Sequence, residues 1–284
     1  MYTQLAFYSF ILVSAIILSG KFSRFIITSH TRMQLVMSFV SGLMLGVSIF
    51  HLIPHAYYII DSENAPEIIS RWMMAGLLFM FMLQRIFNFH NHDVQDHTVS
   101  ESHSGNLHSK GAWLGILIGL IIHSVIDGMA LVATMHADAF IIGENHLKGV
   151  LLGLGVFLAI LFHKPLDALT ITTLMSKNNF SERKQVISLF LYALICPLAA
   201  WLVILGFDNF FSDQSNFIGP ALAFSAGIFL CISLGDLLPE IHFHSHDKLK
   251  LTIALLMGVA LALLLIEIEP MHDHDHSEHT LVIE

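Results

Sequence analysis

The chain has 284 residues, of which 55% are hydrophobic and only 12% charged, a balance that a soluble domain of this size could not hide from water, so it is read as a membrane protein. The net charge of −9 argues against nucleic acid as a partner. Cys196 and Cys231 each stand alone in an apolar run, as small buried hydrophobes rather than parts of a disulfide framework.

A transmembrane helix needs about 20 mostly apolar residues. Eight such stretches occur, at 4–20, 33–60, 70–89, 111–136, 148–176, 185–206, 216–240 and 249–268. The first has no lysine or arginine before it and no small-residue cleavage site after it, so it is expected to be a retained span. Connections are short, and residues 1–284 are read as a single transmembrane domain. Its main polar parts are the stretch 90–110, rich in His, Ser and Asp and expected to be disordered, and the His/Asp-rich tail 269–284. Lysine and arginine collect on the cytoplasmic side. With the N-terminus outside, the inner connections hold Lys21, Arg24, Arg32, Arg85, Lys110, Lys177, Arg183, Lys184, Lys248 and Lys250, whereas the outer ones hold Arg71 and Lys148. Both termini are therefore expected outside, and the His-rich stretch inside.

Ionisable residues at membrane depth are costly and usually mark a route for ions or protons. Here they come in pairs spaced i, i+4: His51 and His55 in span two, His123 and Asp127 in span four, His163 and Asp167 in span five, Asp236 and Glu240 in span seven. That spacing puts both side chains on one helix face, one turn apart. Imidazole with carboxylate suits zinc and tolerates iron, manganese or cadmium. Spans four and five packed face to face would thus complete a four-ligand site from His123, Asp127, His163 and Asp167. For His51, His55, Asp236 and Glu240 two readings stay open, a cation pathway or ordinary hydration near a membrane surface. Pro54 and Pro239 fit the second, each expected to end or kink its helix. Pro165 has no amide to donate and frees a backbone carbonyl in span five, and Gly128 permits close helix approach.

Nineteen histidines, clustered rather than scattered, point the same way. Those at His90, His92, His97, His103 and His108, and at His242, His244 and His246, could collect metal loosely on the cytoplasmic side. The terminal MHDHDHSEH could do so outside. A solvated polar tail is the plainer reading of each.

Together these residues resemble the ZIP (Zrt/Irt-like protein) transporters. SGLMLGVSIFHLIPHA in span two is similar to that family's Gly-rich segment ending in a His-Leu-Leu-Pro-Glu-Ala type sequence, HSVIDG in span four to its His-Asn-x-x-Asp/Glu-Gly motif, and LGDLLPE in span seven to its Asp-Leu-Leu-Pro-Glu ending. The resemblance implies an all-α integral membrane protein with eight transmembrane helices in a ZIP-like bundle, both termini outside. It also implies a transporter, not an enzyme, carrying Zn2+ or another divalent cation such as Fe2+, Mn2+ or Cd2+ toward the cytoplasm as substrate. His123, Asp127, His163 and Asp167 match the family's ligand positions. Departures fall where relatives hold a second metal: Ser124 stands for an Asn, Lys164 for an acid, proline comes one place early at Pro165, and span six has no acid. An ammonium at Lys164 can supply the charge of a second cation by pairing with Asp127 or Asp167, which implies one intramembrane metal. Alternatively, Lys164 gates transport. The expected partners are divalent cations, the lipid bilayer and a second copy in a homodimer, and the short loops favour the bacterial inner membrane.

Competing classes are a cation-diffusion-type exporter, which uses similar His/Asp pairs but typically six spans and a soluble C-terminal domain, a non-transporting metal sensor or store, and an intramembrane metalloprotease. The last requires a glutamate base beside its metal, as in His-Glu-x-x-His. Neither HSVID nor HKPLD supplies it.

Overall fold

Membrane-spanning backbone must satisfy its own hydrogen bonds, so long apolar runs are driven into helices. The computed structural model describes residues 1–26, 30–88, 109–143, 150–210, 215–237 and 248–268. These form α1 (Tyr2–Ile26), α2 (His30–Val47), α3 (Ile53–Ile60), α4 (Ala65–Asn88), α5 (Ser109–Ile142), α6 (Leu154–Lys177), α7 (Glu182–Phe210), α8 (Ser215–Cys231) and α9 (Lys248–Ile268), with no strand among them. One π-helical turn, Ser48–Leu52, joins α2 to α3 as a single span, and another, Ile232–Leu237, prolongs α8. Among the described residues, eight helices are long and apolar enough to cross a membrane. The protein is an all-helical, multi-pass membrane protein.

The spans divide into an inner and an outer set. Two thirds (67%) of the most apolar stretch of α8 is buried, against 22% for α4 and for α9. Accordingly α4 turns Trp72, Leu78, Phe81 and Ile86 outward, and α9 does the same with Leu249, Leu256 and Met257. An apolar face of this size is what hydrocarbon solvates.

Three helix pairs set the frame: α2 with α9, α4 with α8, and α5 with α7. Lipid gives helices little hydrophobic reason to associate, so close backbone approach through small residues holds them. A side chain on Gly42 would meet the Leu255 carbonyl oxygen at 2.0 Å, and one on Gly258 the Phe39 oxygen at 2.1 Å. Gly76 and Gly227 are related in the same way across α4 and α8, meeting Phe224 and Met73 oxygens at 2.0 Å. A side chain on Gly128 would meet the Cys196 carbonyl oxygen on α7 at 2.5 Å, so this glycine permits the close approach of α5 and α7 that its place after Asp127 suggested.

Several expected boundaries move. Span four runs on to Ile142, six residues past its expected end at 136. Span five starts at Leu154 rather than near 148, because Gly153 takes a left-handed conformation (φ 68°) that stops the helix from extending backward. Pro54 neither ends nor breaks span two. The π turn before it absorbs the mismatch, and Pro54 falls in the first turn of α3, where its missing amide costs nothing. Cys196 and Cys231 are buried and unbridged. Pro239, Glu240, all the loop histidines and the C-terminal tail lie outside the described residues.

The close pairs yield a test. Gly227→Ile should lower stability by about 1–3 kcal/mol through overpacking, seen as a lower melting temperature of the purified protein in detergent. Gly206→Ala, whose added carbon meets nothing within 4 Å, should leave it nearly unchanged.

Candidate metal centre

Spans four and five present their chemistry to each other. On α5, His123 Nε2 lies 3.4 Å from Asp127 Oδ2, the i, i+4 pair sharing one face. On α6, His163 and Lys164 are buried at 3% and 0% exposure, and the three polar side chains of FHKPLD reach the same place. His163 Nε2 is 3.3 Å from Asp127 Oδ2, and His123 Nε2 is 3.9 Å from Asp167 Oδ2. The rings of His123 and His163 are 5.3 Å apart.

The tautomer of His163 sharpens this arrangement. Its Nδ1 lies 2.8 Å from the carbonyl oxygen of Ala159, one turn back, and must donate to it. In the neutral ring the Nε2 lone pair then faces a carboxylate oxygen, so two electron-pair donors confront each other. That geometry asks for a positive charge nearby. One ligand atom each from His123, His163 and Asp167 lies within 4.8 Å of the others, whereas tetrahedral zinc, with ligands at about 2.0–2.2 Å, needs them about 3.4 Å apart. Small side-chain movements would therefore close the trio on one cation.

Asp127 plays a different part. Lys164 Nζ is 2.6 Å from Asp127 Oδ2 and 3.2 Å from Asp167 Oδ2. The lysine thus bridges carboxylates of two spans, and Asp127 stands between this ammonium and the two imidazoles. Two buried atoms beside it, Asp127 Oδ1 and Ser124 Oγ, have no hydrogen-bond partner among the described residues. His123, His163 and Asp167 form the compact three-atom cluster, and Asp127 Oδ2 lies 3.4 and 3.3 Å from its two imidazole nitrogens.

Sequence reasoning missed one residue here. Tyr192 of α7 donates its hydroxyl to Asp167 Oδ2 at 2.8 Å and accepts from Lys164 Nζ at 3.3 Å. A search of span six for carboxylates passes over a phenol. Its signal was position: Tyr192 lies four residues before Cys196, whose backbone carbonyl abuts Gly128, so it shares the helix face turned toward α5.

His51 and His55 belong elsewhere. His51, in the π turn, is 1% exposed. Its Nε2 lies 3.1 Å from the Ala262 oxygen on α9, and its ring packs against Gly155. Ordinary hydration is therefore wrong for His51. His55 Nε2 is 2.8 Å from Asp138 Oδ1, and Asp138 Oδ2 accepts the Gly153 amide at 2.5 Å. Asp138 follows Asp127 by eleven residues, three turns along one face of α5, and escaped notice because the span was ended at 136. Asp236 falls in the π turn after α8, and its side chain is outside the described residues.

The structure is thus an all-helical membrane bundle with a buried imidazole–carboxylate cluster between two of its spans. A family model, ZIP Zinc transporter, matches residues 88–266, which contain all of spans four and five. The chain belongs to that family. It is similar to Zinc transporter ZIP9-B of Xenopus laevis, 25% identical over 184 residues, which cover 64% of this chain and 55% of the frog protein. It is also similar to Zinc transporter 3 of Arabidopsis thaliana, 24% identical over 227 residues covering 71% and 62%, and to Protein zntC of Dictyostelium discoideum, 29% identical over 131 residues covering 45% and 29%. The chain thus spans about half the length of the frog relative that it matches.

Breaking the ion pair from one side should be costly. Asp127→Ala leaves a buried ammonium short of a counter-charge and should destabilise by about 3–5 kcal/mol. Adding Lys164→Met to Asp127→Ala should restore much of the loss, as read from chemical unfolding of the detergent-solubilised protein.

Proposed function

We propose that this protein transports a divalent metal cation, zinc first, across a membrane toward the cytoplasm through a site between spans four and five. The observation that carries the proposal is the convergence of His123, His163 and Asp167 on one point, within a chain of the ZIP family, beside a lysine bonded to both Asp127 and Asp167. The frog and plant relatives named above are zinc transporters by name, and histidine with carboxylate is a zinc-competent donor set. Iron, manganese and cadmium fit the same donors. Family membership favours this reading over a cation-diffusion exporter, a metalloprotease or a metal store.

In the mechanism we propose, a cation sheds water at an outward cavity and is taken by the two imidazole nitrogens and Asp167. It leaves inward when the bundle rocks and the ligands rehydrate. Asp127 balances Lys164 during the cycle and lends its second oxygen to the cation. Because Lys164 supplies a fixed charge between the carboxylates, one metal is held per chain, and no covalent step is involved. Ser124 borders this site as a gating position. His51, His55, Asp236 and Glu240 belong to the pathway, and His90, His92, His97, His242, His244 and His246 collect metal outside it.

The orientation with both termini outside follows from the ten inner and two outer basic residues. Residues 1–284 act as one transporter domain in the bilayer, as a homodimer. We assign the host membrane to the bacterial inner membrane on the shortness of the loops, although the relatives named above are eukaryotic.

Radioactive zinc uptake into vesicles tests transport. Wild type should accumulate zinc, and the double substitution His123→Ala/Asp127→Ala should abolish uptake; equal uptake in both would remove the claim. Zinc titration of the purified protein should give one tight site per chain, and Lys164→Glu should create a second. Two tight sites in the wild type would refute the single-metal reading.

A further inference from the structure

The ammonium of Lys164 is wholly enclosed, and its bonding is complete. A lysine ammonium carries three donors and no acceptor. Three oxygens stand within reach of Nζ: Asp127 Oδ2 at 2.6 Å, Asp167 Oδ2 at 3.2 Å and the Tyr192 hydroxyl at 3.3 Å. They come from three different spans, α5, α6 and α7. The Tyr192 hydroxyl passes its own proton to Asp167 Oδ2 at 2.8 Å, so it accepts from the lysine and donates to the carboxylate at once. The phenol is 2% exposed and its ring sits in a separate apolar cluster with Ile16, Ala168, Ile171, Leu189 and Ala193, which fixes its direction.

We propose that Tyr192 is a positioning residue of the transport site. It completes a three-oxygen cage that holds the Lys164 ammonium as a tethered cation, and it thereby keeps Asp167 facing His123 and His163. The inference rests on the transport reading above. Without the hydroxyl, the ammonium has only the two carboxylates to satisfy it and draws more closely on Asp167, pulling that ligand away from the imidazoles. The cage is also a subsite for a small organic cation: if the lysine side chain is removed, a free alkylammonium should enter, bound by the same three oxygens.

The test uses the full chain in proteoliposomes with zinc uptake as the readout. Tyr192→Phe keeps the ring and its packing and should raise KM for zinc about tenfold, the size of one lost hydrogen bond to a charged group, with kcat nearly unchanged. Lys164→Ala should be impaired and should regain much of its uptake with added propylammonium, and Tyr192→Phe in that background should abolish the rescue. A purely structural tyrosine would alter neither KM in the isosteric variant nor the rescue. Tyr192→Phe with wild-type KM, or a rescue indifferent to Tyr192, overturns the proposal. Wild-type protein that takes up no zinc overturns the transport reading, and this one with it, so the two failures are told apart.

Discussion

A buried ammonium between two carboxylates, Lys164 with Asp127 and Asp167, is the constraint around which the centre of this protein is organised. An unpaired charge in the membrane interior is costly, and so is a pair with poor geometry. Meeting the lysine's three donors fixes the relative positions of three spans at one depth. α5 must bring Asp127, α6 must bring both Lys164 and Asp167, and α7 must bring Tyr192. Gly128, one residue after Asp127, lets α7 come close enough for that meeting. The two histidines then complete the polar cluster.

The same pair gives the cluster its division of labour. The resemblance implies an acid, and with it a second metal, where this chain has Lys164. Here the positive charge is covalently attached, so it neither exchanges nor needs loading. One of the two carboxylate charges is offset whether or not a cation is present, which lowers the electrostatic cost of an empty site. In the proposed transport site, discrimination falls to the imidazoles of His123 and His163, a donor type that suits borderline cations such as zinc better than hard ones.

Much of this was legible in the residues. Eight apolar runs gave eight spans because a run of about 20 apolar residues satisfies its own backbone hydrogen bonds in lipid as a helix, and the i, i+4 pairs in spans four and five lay opposite each other. The failures were of three physical kinds. Helix ends depend on caps and backbone conformations that hydropathy does not encode, so Ile142 and Gly153 moved the limits of spans four and five, and Asp138 was overlooked. Pairing between spans depends on which faces meet, so neither Tyr192 nor the burial of His51 could be read from a single helix. Pro54 belongs to a third class, in which a π turn absorbs what the local rule forbids.

The central claim is that one zinc sits among two imidazoles and the carboxylates of Asp167 and Asp127, with an ammonium in place of its neighbour. X-ray absorption at the zinc edge, on purified protein loaded with zinc, examines this most directly. The account predicts nitrogen and oxygen ligands at about 2.0–2.2 Å, two of them showing imidazole scattering, and no sulfur. A zinc–zinc vector at about 3.5–4 Å, the separation of two-metal sites, or a ligand shell without histidine, would contradict it.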